Sequence, residues 1–271
     1  MDNAQPTPLA FQGKYVLQGT IYLKTGLHIG GTQAEYEIGG EENLVVKDPI
    51  TGEPYIPGSS LKGKMRSLLE WAYQAEWQLI RVKSARGGYE GEVRDEVNGQ
   101  ISDLSIVFGP YDVRKKEKFP KTGPTRVIFR DAFLTERSRQ RLERTIGPGQ
   151  YTETKTENAI DRVISRANPR TMERVPAGTG FTFEILFDIY ETADHDRLQY
   201  ILQGLRLLED SALGGGGSRG SGRIQFQDIR VEWRGRAYYT DGTPPVILIE
   251  KADTTTLWQQ WREWSQKVRT P

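Results

Sequence analysis

The sequence has no cysteine and only two histidines, His28 and His195. Disulfides, thiolate metal sites and cysteine nucleophiles are thereby excluded, and so is a zinc centre built on several histidines. The lack of cysteine fits a reducing compartment, so a cytoplasmic location is expected. No apolar run approaches the ~20 residues of a membrane-spanning helix, and no membrane association is expected. Residues 1–13 lack a basic region followed by an apolar stretch, so they are expected to be a flexible polar lead rather than a secretory signal. Net charge is also nearly absent. The 37 basic and 36 acidic residues leave +1, so any nucleic-acid site must come from a local arrangement of charge. Hydrophobic residues are 36% of the 271, which implies a modest core with long polar excursions.

What is present begins with periodicity. Phe181, Phe183, Ile185, Phe187 and Ile189 alternate as in a half-buried strand. Between Asp194 and Asp210, Leu198, Ile201, Leu202, Leu205 and Leu208 fall on one helical face. A glycine-rich loop, 214–222, leads to a strand over Arg223–Trp233. The first half repeats the order. Tyr15, Leu17, Ile21 and Leu23 mark a strand. Ser59 to about Gln78 reads as a helix, capped by Ser59 or Ser60, with Leu61, Met65, Leu68, Leu69 and Ala72 as its stripe. Arg126–Phe133 reads as the next strand. The sum is an α+β fold, a ferredoxin-like (RRM-like) βαββαβ core over residues 14–233. It is interrupted by insertions at about 25–58, 78–124 and 134–179. Residues 234–271 form an extension whose Leu257, Trp258, Trp261, Trp264 and Val268 predict an amphipathic helix, expected to pack on the protein's own core.

Several segments carry candidate chemistry. In Pro57–Arg66, a hydroxyl, an ammonium and a guanidinium (Ser59, Lys62, Arg66) recur at helical spacing beside an electropositive helix start, which suits phosphodiester binding. A solvated helix face has the same pattern. The loop 214–222, with Ser218, Arg219 and Ser221, offers backbone amides to a phosphate. It lacks a Walker lysine and a GxGxxG register, which disfavours nucleotide binding; a plain turn between helix and strand is the alternative. The first insertion concentrates carboxylates, Glu35, Glu37, Glu41, Glu42 and Asp48, and His28 sits there between apolar neighbours as a packed residue. Carboxylates near phosphates are repelled unless they hold a metal or take a proton, although a solvated acidic loop is the simpler reading. In Tyr151–Arg174, Arg162, Arg166, Arg170 and Arg174 recur every four residues, with Met172 as an apolar wedge; Pro169 precludes one continuous helix there. Glu153, Glu157, Asp161 and Glu173 balance that charge. The second insertion carries a further basic stretch, Arg114 to Lys121.

Taken in order, Gly26–Gly30 with Gly31, Lys47–Pro49, Tyr55–Arg66, Phe108–Gly109, Ile128–Phe133, Asn158–Arg162, Ala167–Arg170 and Gly215–Gly222 resemble one family. It is the Csm-type backbone subunit of type III CRISPR–Cas complexes, a RAMP protein, and the resemblance spans about residues 14–233. It implies a ferredoxin-like core whose insertions form palm, fingers and thumb. It also implies a helical filament of further copies along a guide RNA (crRNA) paired with target RNA, together with other subunits of the complex. His28, Ser59, Ser60, Lys62, Lys64, Arg66, Ser218 and Arg219 would contact RNA. Arg162, Arg166, Arg170 and Met172 would belong to a thumb that enters a kink in the guide. The family cleaves target RNA by 2′-hydroxyl attack with Mg2+ or another divalent cation, through an aspartate whose position here is Glu42. Glutamate keeps the carboxylate but moves its oxygens by more than ~1 Å, an offset able to cost about 100-fold in rate. Glu41 is the neighbouring substitute. A scaffold without cleavage, and a stand-alone guide-processing nuclease using His28 as base, are the alternatives.

Overall fold

Every second residue of the strand expected at 181–189 is buried, Phe181 through Ile189, because the pleat turns alternate side chains to one face. The computed structural model describes residues 9–30, 44–73, 77–80, 90–93, 96–97, 100–110, 122–160, 163–164 and 167–268. Strand β1 (Gly13–Leu23) is followed by β2 (Tyr55–Ile56) and α1 (Gly58–Tyr73). Two short hairpins come next, β3 (Trp77–Ile80) with β4 (Glu90–Val93) and β5 (Glu96–Val97) with β6 (Gln100–Ile101), and then α2 (Asp103–Phe108). The chain continues through β7 (Val127–Phe129), β8 (Ala132–Leu134), α3 (Glu136–Thr145), β9 (Glu153–Ile160), β10 (Ala167–Arg174) and β11 (Gly180–Ile189). It ends with α4 (Asp194–Asp210), β12 (Ile224–Gly235), α5 (Arg236–Thr240), β13 (Val246–Ala252) and α6 (Thr254–Gln266).

The central sheet has the order β13-β12-β1-β11-β8-β2, with β7 also paired to β11, and these pairings are antiparallel. Its four core strands therefore run β12, β1, β11, β7, which is fourth, first, third and second in chain order. With α1 and α4 packed together, this is the ferredoxin-like arrangement expected from the sequence. β1 lies in the middle, and Tyr15, Leu17, Ile21 and Leu23 are fully buried. Asp228 takes a left-handed conformation where β12 bulges against β1 between Gln18 and Thr20.

Two expectations are corrected. The strand expected over Arg126–Phe133 is split into β7 and β8, because Arg130 and Asp131 bend out of it. Arg130 N–H donates to Glu184 O, while Asp131 Oδ1 turns back to accept the Gly58 amide at 2.7 Å. Just before the split strand, Arg126 is buried against Asp194, whose second oxygen accepts the Tyr190 and Glu191 amides. The helix expected to reach Gln78 ends at Tyr73, and Ala72, expected in its buried stripe, is exposed. After β12, β13 continues the sheet. α6 lies against α4 with Leu257, Trp261 and Trp264 buried in the common core, and Asp253 Oδ1 caps it by accepting the Thr256 amide.

Candidate nucleic-acid interface

In the antiparallel register Tyr22 faces Gly180 and Leu23 faces Ile224. The chain leaving β1, the chain entering β11 and the chain entering β12 therefore sit at one end of the sheet. Three of the segments singled out above open from that end: the first insertion, the 153–174 stretch and the glycine-rich loop.

Direct hydrogen bonds join them. Leu27 and Val175 exchange amide bonds at 2.9 and 2.8 Å, and Val46 N–H donates to Ile29 O at 2.9 Å, next to a Gly30–Val45 bridge. Gly215 N–H donates to His28 O at 2.8 Å, and Gly222 N–H donates to Gly26 O at 2.9 Å. His28 Nδ1 lies 2.7 Å from Glu173 O. A carbonyl only accepts, so this bond assigns the proton to Nδ1. The strip 26–30 is thus held between the end of β10 and the glycine-rich loop. His28 is half-buried at the junction.

The stretch with arginines at every fourth position is a β-hairpin, β9 with β10, in which Arg170 faces Glu157 and Arg174 faces Glu153. A four-residue spacing keeps Arg170 and Arg174 on one face of a strand as well as on one face of a helix. Arg170 is exposed, and Arg174 pairs with Glu153 at 2.6 Å. Arg162 and Arg166 lie outside the described residues. Met172 sits two residues before the end of β10, opposite Lys155, with its methyl beside Gly216. The exposed apolar side chains near the turn are Ile160, Val163 and Ile164.

Glu173, read from the sequence only as a balancing charge, is 8% exposed and gathers donors from two other segments. Its carboxylate accepts the Val45 amide at 2.8 Å, the Lys47 ammonium at 2.5 Å and the Thr152 hydroxyl at 2.5 Å. Burial alone would push this carboxyl up. The bonds from Lys47, Thr152 and Val45 outweigh it and hold the group below its ordinary range. No local sequence signal pointed to this residue, because Val45 and Lys47 are 128 and 126 positions away.

In the glycine-rich loop, Gly216 and Gly220 flank a single 3-10 turn, Gly217–Arg219, both with positive φ. Gly214, at φ +73°, lies so close to the strip that a Cβ there would meet His28 O at 2.2 Å. The amides of Gly215 and Gly222 donate to the strip, those of Arg219, Gly220 and Ser221 donate within the loop, and those of Gly216, Gly217 and Ser218 take no part in these bonds. Ser218 and Arg219 are exposed. Arg219 Nε donates to Glu157 Oε2 at 2.7 Å, tying the loop to the hairpin. Ser221 Oγ is buried and has no hydrogen-bond partner among the described residues.

On α1 the expected capping is replaced. Ser59 and Ser60 lie inside the first turn, and Asp131 takes the Gly58 amide because Gly58 passes so close to Phe129 O, 2.3 Å from a notional Cβ. Lys62 and Lys64 are half-buried and form no ion pair among the described residues. Burial, and then the neighbouring Arg66 charge, hold the Lys62 ammonium below its ordinary range. Arg66, beside Lys62, is also engaged within the protein. Its Nε donates to Glu70 at 2.7 Å and one terminal nitrogen donates to Gly109 O at 3.0 Å.

Glu35, Glu37, Glu41 and Glu42 lie outside the described residues. Asp48 accepts the Ile50 and Thr51 amides in its own turn. Among the described residues, no group of three or more His, Asp or Glu side chains could hold a metal ion. Glu173 is committed to its three donors. Also among the described residues, no helix is long and apolar enough to cross a membrane.

Comparison with known proteins finds the following similarities. The family model of the RAMP superfamily matches residues 20–225. A Methanothermobacter thermautotrophicus protein, CRISPR system Cms endoribonuclease Csm3, is 43% identical over 232 residues, covering 85% of this chain and 91% of that protein. The crystal structure of a Csm3–Csm4 subcomplex in the type III-A CRISPR–Cas interference complex is similar with a TM-score of 0.57 and 28% identity, covering 94% of this chain and 98% of that one. Methanopyrus kandleri Csm3 shares the fold, with a TM-score of 0.63 at 21% identity, covering 97% and 100%.

Proposed function

Because the chain belongs to the RAMP superfamily and, within it, to the Csm3 family, we infer that it is a guide-RNA-binding backbone subunit of a type III CRISPR complex that also cuts the bound target RNA. The observation that carries the reading is the junction at His28. There the base of the first insertion, the β9–β10 hairpin and the glycine-rich loop are held together by hydrogen bonds at one end of the sheet. Such an arrangement grips a strand by its phosphates and places a hairpin across it without reading individual bases. Lys62, Lys64, Arg219 and Arg170 supply positive charge. The amides of Gly216, Gly217 and Ser218 supply oriented donors, and Arg219 can exchange its exposed partner Glu157 for a phosphate, since surface ion pairs are worth only about 0–1 kcal/mol. The exposed Ile160, Val163 and Ile164 suit an apolar wedge at the hairpin end.

Further copies of the chain would stack along the guide, together with the other complex subunits, in the cytoplasm. Cleavage would proceed by attack of a target 2′-hydroxyl on the adjacent phosphorus, which breaks the P–O5′ bond and leaves a 2′,3′-cyclic phosphate and a protonated 5′-hydroxyl, with Glu42 as the acting carboxylate. Mg2+ or another divalent cation, which is commonly held by one or two carboxylates together with phosphate oxygens, would neutralise charge there. A scaffold that binds without cutting is the second reading, favoured by the extra methylene of Glu42. The test is purification of the assembled complex with its RNA, addition of complementary RNA with magnesium, and comparison with Glu42→Ala. Loss of cutting with unchanged target binding supports cleavage at Glu42. No cutting by the unaltered complex supports the scaffold, and a complex that retains no guide-length RNA sinks both.

A further inference from the structure

We propose that Glu157 is a built-in stand-in for an RNA phosphate: its carboxylate occupies a phosphodiester subsite formed by Lys155 of β9 and Arg219 of the glycine-rich loop, and RNA enters by displacing it. This deepens the RNA-binding reading above and rests on it.

The subsite follows from the register of the hairpin. Lys155 is opposite Met172, and Glu157 is opposite Arg170. Residues two apart on a strand share a face, and so do directly opposed residues of an antiparallel pair, so these four side chains project together. That face meets the glycine-rich loop: the Met172 methyl lies beside Gly216, and Glu157 bonds Arg219. Within it, Glu157 Oε1 accepts the Lys155 ammonium at 2.8 Å, and Oε2 accepts Arg219 Nε at 2.7 Å. One oxygen for each cation is also how the two free oxygens of a phosphodiester would take them. The bonds from Lys155 and then Arg219 hold the Glu157 carboxyl below its ordinary range, so it is ionised at neutral pH and competes for both cations. Arg170, directly across on β10 and exposed, adds a third positive charge to the same face. The donors for a phosphate are in place, and one carboxylate fills them.

Displacement costs little. Arg219 is 61% exposed and Lys155 31%, and ion pairs so open to water are weak. A phosphate tethered to other contacts along the same strand arrives at high effective concentration and outcompetes the carboxylate. When the pairs open, the Met172 contact still seats the loop against the hairpin. Glu157 therefore lowers the affinity of the RNA-free chain without abolishing the site.

The test uses the full chain and a labelled single-stranded RNA at low salt. Glu157→Gln is expected to tighten binding about fivefold, the size of one or two exposed ion pairs released. Lys155→Ala and Arg219→Ala are each expected to weaken it by about threefold to tenfold. With both cations replaced, adding Glu157→Gln should change affinity less than about twofold, because nothing is left to release. Glu153→Gln is the control: it removes a carboxylate of the same face that holds Arg174 instead, and should change affinity less than about twofold. No gain from Glu157→Gln would overturn the proposal. So would a gain that persists without the two cations, or one that Glu153→Gln matches, since either would come from general charge. If the unaltered chain binds no RNA, the RNA-binding reading fails instead. The subsite is then judged with sodium tripolyphosphate, by the Arg219 Nε–H resonance. A larger shift in Glu157→Gln than in the unaltered chain would uphold it, and an equal shift or none would refute it.

Discussion

Gly214 offers a perturbation whose size can be worked out from the structure. It adopts φ +73° and lies under His28 O, where an added Cβ would sit 2.2 Å away; its neighbour Gly215 donates to the same oxygen at 2.8 Å. A carbon–oxygen contact needs about 3.3 Å, so the loop must retreat by roughly 1 Å in Gly214→Ala. The Gly215 bond then stretches beyond hydrogen-bonding range. The left-handed conformation costs about 1–2 kcal/mol for an L residue, and the lost bond about 0.5–1.5 kcal/mol more. The sum is about 1.5–3.5 kcal/mol, a fall in melting temperature of about 3–14 °C for a chain of this size. Gly220 is the internal control. It has φ +84° but nothing within 4 Å of a Cβ, so Gly220→Ala carries only the conformational cost, about 1–2 kcal/mol. Thermal unfolding of the two variants, with guide-RNA affinity measured below both transitions, separates the close approach from the backbone conformation. Gly214→Ala is expected to weaken RNA binding about tenfold as the loop amides shift, and Gly220→Ala less. Equal effects of the two substitutions on stability and RNA affinity would refute the claim that the loop is registered by its contact with His28.

Two further outcomes follow from the same structure. Lys62→Ala should weaken RNA binding alike for unrelated sequences and reduce the slope of log affinity against log salt by about 0.7 if it meets one phosphate of a single strand; a sequence-dependent loss measured across several guides would count against a phosphate contact. Trp264 is 2% exposed with its indole N–H unpartnered among the described residues, so Trp264→Ala should cost about 3–5 kcal/mol in denaturant unfolding. Trp264→Phe should cost far less, because the N–H it removes makes no bond to lose.

Strands and helices were legible in the sequence wherever burial imposes a period. Phe181–Ile189, the Leu198–Leu208 face and the Tyr15–Leu23 row all appear where alternation or helical spacing put them. The order of those elements led to the ferredoxin-like topology, because a strand–helix–strand unit repeated twice has few ways to close a sheet. Local pattern was weaker at element ends. The break at Arg130–Asp131 follows from bonds to Glu184 and Gly58, far away in the chain, and the stop at Tyr73 left no mark in the helical spacing.

For the site, the motifs in Gly26–Gly30, Tyr55–Arg66 and Gly215–Gly222 could be recognised as residue types able to meet a phosphate. Which of them are free to do so could not. Arg66 and Lys62 share a helical face in the sequence, yet Arg66 is taken by Glu70 and Gly109 while Lys62 has no ion pair among the described residues. The arginine spacing at 162–174 fits one helical face and one strand face equally, and antiparallel pairing of β9 with β10 decided for the strand. Glu173 was invisible because a carboxylate in a charged stretch looks solvated until folding brings Val45, Lys47 and Thr152 to it. Periodic burial is written locally in the chain, so the sequence alone determined the core. The pairing of polar groups depends on which distant segments meet, so only the tertiary structure could decide it.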